Sequence, residues 1–273
     1  MNGVLIYAFN NDRVDYFRQA TWCADRVNRY LDLPVTIVTD SNSRAGRDCA
    51  HNVFYTEAES GGTRLYQPGI DDKSDQWFNS NRYQSYDISP YEKTLVIDSD
   101  YVVCSDKLLR ILESDIRVTA MKNVYDLTNR DGFRNYRVVS PGTSVGLHHF
   151  WATVLYFDRS DMSRDFFIMI AMIKKHYGHY ADLYGFLKKP FRNDFAVSIA
   201  LNTLYGHVPA AIPTIPWAMA SAFSDVEISS WHDDTFEFVY KDHKSDKYKR
   251  TTTVGEDFHF MNKVDLAKLY DGS

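Results

Sequence analysis

The stretch Thr94-Leu95-Val96-Ile97-Asp98-Ser99-Asp100-Tyr101-Val102-Val103 decides how the rest of the chain is read. Its first four residues show no polar alternation, which predicts an interior strand covered on both faces in an α/β sheet. Asp98-Ser99-Asp100 follows with no turn residue between. Two carboxylates are therefore expected at the carboxyl end of a buried strand, the edge at which open α/β sheets bind ligands. Extended chain is predicted to continue through Val103, followed by a helix over 106–112.

An Asp-x-Asp triplet alone means little in a chain with 36 acidic residues. Its place after an apolar strand gives it weight: two carboxylates buried together repel, and a shared cation relieves the repulsion. The rival reading is a structural turn. Hard oxygen ligands of this kind select Mg²⁺ or Mn²⁺ over zinc.

Upstream, 79–89 reads as a short helix carrying Arg82, Ser85 and Tyr86 and stopped at Ser89-Pro90. The apolar run at 4–9 predicts the first strand, ending in Asn10-Asn11-Asp12. Val14, Phe17, Cys23, Val27, Tyr30 and Leu31 then recur at helical spacing, with Asp12 the expected cap. After Leu33-Pro34, residues 35–40 form a second β-branched run ending in Asp40, so the unit is βαβ and a parallel sheet begins. Residues 41–76 read as a loop-rich insert with a short strand at 53–55 and turns at Gly61-Gly62 and Pro68-Gly69.

Downstream, 117–121 and 151–157 are predicted strands, separated by a polar segment at 124–149 with a Pro141-Gly142 turn, expected to line a cleft. Long helices are predicted over 163–184 and 193–204, and the tail from 227 alternates short strands with polar loops. Asn193 is a candidate cap for the second of these helices. No repeat or linker divides the chain, so one α/β domain is expected, with 1–105 carrying the cation site and 106–273 the facing part and tail.

Composition excludes several classes. With 44% hydrophobic and 25% charged residues, the chain is neither disordered nor fibrous. A net charge of −5 gives no global field for a polyanion. The one basic stretch (Lys241, His243, Lys244, Lys247, Lys249, Arg250) is interrupted by Asp242 and Asp246 and reads as a solvated loop or a local nucleic-acid contact. Three cysteines without ligand spacing argue for a reducing compartment, and no apolar run is long enough for a signal or a span, so a soluble, cytoplasmic protein is expected. Nineteen Tyr and seventeen Phe suit either an aromatic core or a concave site that stacks flat rings.

The exit Tyr7-Ala8-Phe9-Asn10, the helix with Arg82, the phrase running from Ser89 to Asp100, and the late Asp257-Phe258-His259-Phe260-Met261-Asn262-Lys263 together resemble glycosyltransferase family 8 and related enzymes of the A-type (GT-A) fold. A fainter likeness is to glycosyltransferase-like proteins of tailed bacteriophages. The resemblance implies a Rossmann-like, mainly parallel mixed sheet flanked by helices, a nucleoside-diphosphate sugar donor, with a UDP-sugar favoured, and Mn²⁺ or Mg²⁺.

It also implies roles. Tyr7, Ala8, Phe9 and Asn10 would meet the nucleoside, Asp40 base or ribose, and Arg82, Ser99 and Lys263 the diphosphate side. Asp98, Asp100 and His259 would hold the metal, and Asn193 and Asp194 would orient or deprotonate the acceptor hydroxyl. Trp151 would stack on the sugar or belong to the core. Read locally, Asn10 and Asp40 are equally turn and cap residues, Arg82 a surface ion pair and His259 a solvent-facing strand residue. The family's pattern has a Gly before its Lys, where this chain has Met261-Asn262.

The implied reaction is sugar transfer to a hydroxyl with retention, the acceptor being a glycan or a hydroxymethylated base in DNA. The rivals are a nucleotidyltransferase, disfavoured because the loop after the first strand lacks glycine, and a non-catalytic nucleotide-sugar-binding module.

Overall fold

The computed structural model describes residues 1–67, 71–129, 147–185, 190–242 and 244–271. Its centre is a six-stranded sheet in the order Asn52–Tyr55, Val35–Thr39, Asn2–Tyr7, Lys93–Ile97, Trp151–Asp158, Val118–Met121. The first four strands run parallel, and Trp151–Asp158 runs antiparallel to both its neighbours. The expected mixed, mainly parallel sheet flanked by helices is what the chain forms.

Alternate residues of the central strands serve opposite faces, as a pleated strand requires. Leu5, Tyr7, Val96, Leu155 and Phe157 pack with apolar residues of helices Asp161–Lys175 and Asn193–Leu204. Val4, Ile6, Leu95, Ile97, Val154 and Tyr156 pack with helix Tyr16–Leu31. That two-sided burial is why the central runs show no polar alternation.

A second sheet, in the order Tyr101–Val102, Phe258–Phe260, Met219–Ala222, Val124–Asp126, stands at the carboxyl edge of the first. A three-stranded antiparallel sheet, Glu227–His232, Thr235–Asp242 and Lys247–Val254, closes on it through Phe236, Phe238 and Tyr240. Among the described residues no helix is long and apolar enough to cross a membrane.

Several local expectations change. The first helix is capped by Asp15, whose side chain accepts from the Arg18 N–H, and not by Asp12, because Asn11 Oδ1 accepts from the N–H groups of Arg13 and Val14 and turns the chain first. The expected helix at 163–184 is two, Asp161–Lys175 and Tyr177–Leu183, parted at His176. The expected loop-rich insert contains a hairpin, Gly62–Gln67 with Asp71–Trp77. The Pro68-Gly69 turn, most of the polar segment including Pro141-Gly142, and His243 lie outside the described residues.

Candidate active site

The order of the central strands reverses between Asn2–Tyr7 and Lys93–Ile97, and ligands of open α/β sheets bind in the crevice such a reversal opens at the strands' carboxyl ends. Asp98-Ser99-Asp100 sits there. The Asp98 N–H donates to the Thr153 carbonyl at 3.0 Å, and the Tyr101 N–H donates back to Asp98 O at 3.0 Å, closing a tight turn. Beyond it the chain leaves the main sheet, and Tyr101 pairs with His259 across the second sheet. The Phe260 N–H donates to Asp100 O at 3.0 Å. Sheet pairing thus brings the late His259 and Lys263 to the carboxylates.

Asp257 locks this crossing. Its carboxylate accepts from the Cys104 N–H at 2.7 Å, from Ser105 Oγ at 3.0 Å and from the Tyr101 hydroxyl at 3.3 Å. Burial pushes its carboxyl above the usual range, against the pull of those donors.

Asp98, Asp100 and His259 each present a ligand atom, all within 4.8 Å of one another. His259 is 5% exposed, so it does not face solvent. Its Nε2 lies 3.2 Å from Asp100 Oδ2 and its Nδ1 3.2 Å from Ser221 Oγ, and Trp151 meets the ring edge-on with centroids 6.2 Å apart. Arg82 is buried, not on the surface: it donates Nη1 to the Ala152 carbonyl at 2.7 Å, pairs through Nη2 with Asp98 and lies over the Tyr7 ring. Lys263, also buried, pairs with Asp100. Burial would raise the Asp98 carboxyl, but Arg82, with His259 and Lys263, overcomes this and holds it down at about 2.

The donor set of two carboxylates and an imidazole fits Mn²⁺ or Mg²⁺ better than a thiolate-seeking metal. The electrostatics fit too. Asp98 and Asp100 are balanced by Arg82 and Lys263, so an anionic ligand placed here would require added positive charge, which a divalent cation would provide.

A cavity of about 530 Å³ opens over this cluster. It collects most of the residues predicted from sequence: Tyr7, Phe9, Arg82, Asp98, Ser99, Asp100, Asn193, Asp194, His259 and Lys263, with Trp151 beside them. Ala8, Asn10 and Asp40 are not in its lining. Ala8 is fully buried, its carbonyl accepting from Thr39 Oγ1 at 2.5 Å. Asn10 brackets the first helix, donating to Asp15 Oδ1 and accepting from the Phe17 N–H, and Asp40 caps Ser41–Arg44 by accepting from the Ser43 N–H at 2.6 Å. For these two the local turn-and-cap reading describes what the side chains do.

Asn193 is the first residue of its helix, and Arg192 occupies the cap position without a side-chain bond. Its amide nitrogen donates to the Asn79 carbonyl at 2.9 Å, while its buried Oδ1 has no hydrogen-bond partner among the described residues. Asp194 Oδ1 accepts from the Ala152 N–H at 2.8 Å and Oδ2 pairs with Arg192 at 3.2 Å. The Ala152 backbone is therefore held at both ends, its N–H by Asp194 and its carbonyl by Arg82.

Sequence reasoning missed Gln19, Ser221, Trp77, Phe78, Asn79 and Phe223. The last four line the cavity, and the Trp77 ring rests directly on Gly61, where a Cβ would fall about 2.0 Å from it. A Gly-Gly pair is the only signal the sequence offered for that close approach.

No protein-family model matches the chain, and no curated protein matches it. Among solved structures, the galactosyltransferase LgtC in complex with donor and acceptor sugar analogues is similar at 17% identity, over 74% of this chain and 70% of that one, with a TM-score of 0.46. Mouse xyloside xylosyltransferase 1 is similar at 12% identity, over 78% and 84%, with a TM-score of 0.43. A CMP:2-keto-3-deoxy-manno-octonic acid synthetase complexed with CTP is similar at 10% identity, over 81% and 90%, with a TM-score of 0.40. Likeness at this level assigns no activity to this chain, which is left to the side chains of the site.

Proposed function

We propose that the cavity is the active site of a glycosyltransferase of GT-A type, resembling family 8, which takes a nucleoside-diphosphate sugar, a UDP-sugar foremost, and passes the sugar to an acceptor hydroxyl. The observation that carries this reading is the convergence of Asp98, Asp100 and His259 with Arg82 and Lys263 at the strand reversal. Asp98, Asp100 and His259 would hold Mn²⁺ or Mg²⁺, which supplies Lewis-acid neutralisation of the leaving diphosphate. Arg82 and Lys263 add fixed positive charge where negative charge grows on that leaving group.

Tyr7 and Phe9 offer aromatic walls on the donor side. Asn193, which lines the cavity and is fixed by its bond to the Asn79 carbonyl, would orient the incoming group. Both oxygens of Asp194 are engaged, which favours positioning over proton abstraction and so supports retention of configuration. A glycan hydroxyl is the preferred acceptor over modified DNA. Lys241 pairs with Asp246, Lys249 with Asp242 and Arg250 with Glu237, so much of the basic stretch is neutralised within its own hairpin.

The test is a panel of UDP-sugars incubated with the protein and Mn²⁺. Release of UDP that EDTA abolishes is the expected result. Pyrophosphate released from UTP and a sugar 1-phosphate, with no UDP released from UDP-sugars, would instead make the protein a nucleotidyltransferase.

Ser221 provides a second, smaller prediction. With a cation on Nε2, Nδ1 would carry the ring proton and donate it to Ser221 Oγ, 3.2 Å away, and partners of this kind are worth roughly 10-fold or more in metal affinity. Ser221→Ala is therefore expected to weaken Mn²⁺ binding by about that factor, measured by electron paramagnetic resonance titration. An unchanged affinity would remove Ser221 from the site's support.

A further inference from the structure

Helix Tyr16–Leu31 buries an apolar face of Phe17, Ala20, Cys23, Ala24 and Val27 against the main sheet. Gln19, fully buried, interrupts that face. Its amide nitrogen donates to Ser99 Oγ at 3.0 Å, a bond that spans 80 residues, and its carbonyl Oε1 has no hydrogen-bond partner among the described residues. A buried amide with an unmatched oxygen is costly to fold, and an apolar side chain of the same length would pack there at less cost. Packing therefore does not account for Gln19. Its one bond does, because Ser99 is the residue between the two carboxylates.

The turn from Asp98 to Tyr101 has a single internal backbone bond across it. Rotation of that turn would swing Asp98 and Asp100 away from a common focus. The Ser99 hydroxyl is held by the helix at the point where the chain lines the cavity between Asp98 and Asp100, so anchoring Ser99 fixes the direction of both carboxylates at once. We infer that Gln19 is a positioning residue for the cation site: through Ser99 it holds Asp98 and Asp100 in register for one divalent ion, and it does so at the expense of fold stability. This rests on the proposed reading of Asp98, Asp100 and His259 as cation ligands.

The experiment measures Mn²⁺ affinity by electron paramagnetic resonance titration, with no sugar donor present, and thermal stability in EDTA. The proteins are the wild type, Gln19→Met, Ser99→Ala and the double variant. Gln19→Met should bind Mn²⁺ about 10-fold more weakly while melting at or above the wild-type temperature. Ser99→Ala should weaken binding to a similar degree, and the double variant should be no weaker than the worse single, since both substitutions break one contact. Affinity within twofold of wild type in Gln19→Met, or losses that add in the double variant, would overturn the inference. Should Gln19→Met not fold, Ser99→Ala decides: undiminished binding overturns the inference and a 10-fold loss upholds it. A wild-type protein that fails to bind Mn²⁺ would instead bring down the reading of the site itself.

Discussion

Asp100→Asn is expected to lower kcat/KM for sugar transfer by about a thousandfold or more, a loss of about 4 kcal/mol in transition-state stabilisation. Asparagine keeps the size of the side chain, so the change isolates charge. That charge serves His259 at 3.2 Å and Lys263, and would serve the proposed cation. Without it the proposed ion would lose an anionic ligand, and Lys263 loses the carboxylate that positions its ammonium. The donor's diphosphate then departs into a site with misplaced positive charge. Asp98→Asn should cost about as much, and the pair together little more than either alone, because residues acting as one unit are not additive. Steady-state release of UDP from the donor, with Mn²⁺ varied, is the measurement. A loss of less than tenfold at saturating Mn²⁺ would contradict the assignment.

Arg82→Met should have the largest effect on stability. The guanidinium is the principal opponent of burial at Asp98 and ties Asp98 to the Ala152 carbonyl. Removing one partner of a fully buried pair typically costs about 3 kcal/mol or more, and the loss here should fall below that because the Asp98 side chain is 23% exposed. The metal-free protein should show that loss in denaturant unfolding, and added Mn²⁺ should restore part of it by supplying the missing positive charge.

The pH dependence follows with a definite sign. In the wild type Asp98 is held at about 2, below its unfolded value, so its stabilising contribution is fully present above roughly pH 4 and is lost as pH falls toward that lower value. Without Arg82 the folded carboxyl rises, and acid destabilisation of the metal-free variant should begin at a higher pH than in the wild type. Melting curves in EDTA across the acid range would show it, and coincident profiles for the two proteins would count against the Arg82–Asp98 pairing.

The centre of the fold was legible because its signals are local and periodic. The apolar run before Asp98 and the βαβ pattern at the start each depend on burial that neighbouring residues share, and both appear where expected. Helix Asn193–Leu204 was legible as a long apolar run bounded by polar residues, although it is buried nearly all round and shows no periodic face. His259 and Lys263 were found through resemblance alone, since nothing near His259 announces that sheet pairing carries it back to Tyr101.

The misses have physical causes as well. The hairpin strand Asp71–Trp77 reads Asp-Asp-Lys-Ser-Asp-Gln-Trp, a polar sequence with little strand propensity, so cross-strand pairing overrides composition there. Asp12 and Asp15 are equivalent as caps until the turn made by Asn11 chooses between them. Gln19 and Ser221 act through single contacts with residues 80 and 38 positions away, and one polar residue on an apolar face leaves no periodic trace.

The most direct test of the central claim is anomalous diffraction from crystals grown with Mn²⁺ and UDP. One manganese peak bounded by Asp98, Asp100 and His259, with the diphosphate against it, is the predicted result. Manganese bound elsewhere, or UDP bound in the cavity with no ion between it and those three side chains, would contradict it.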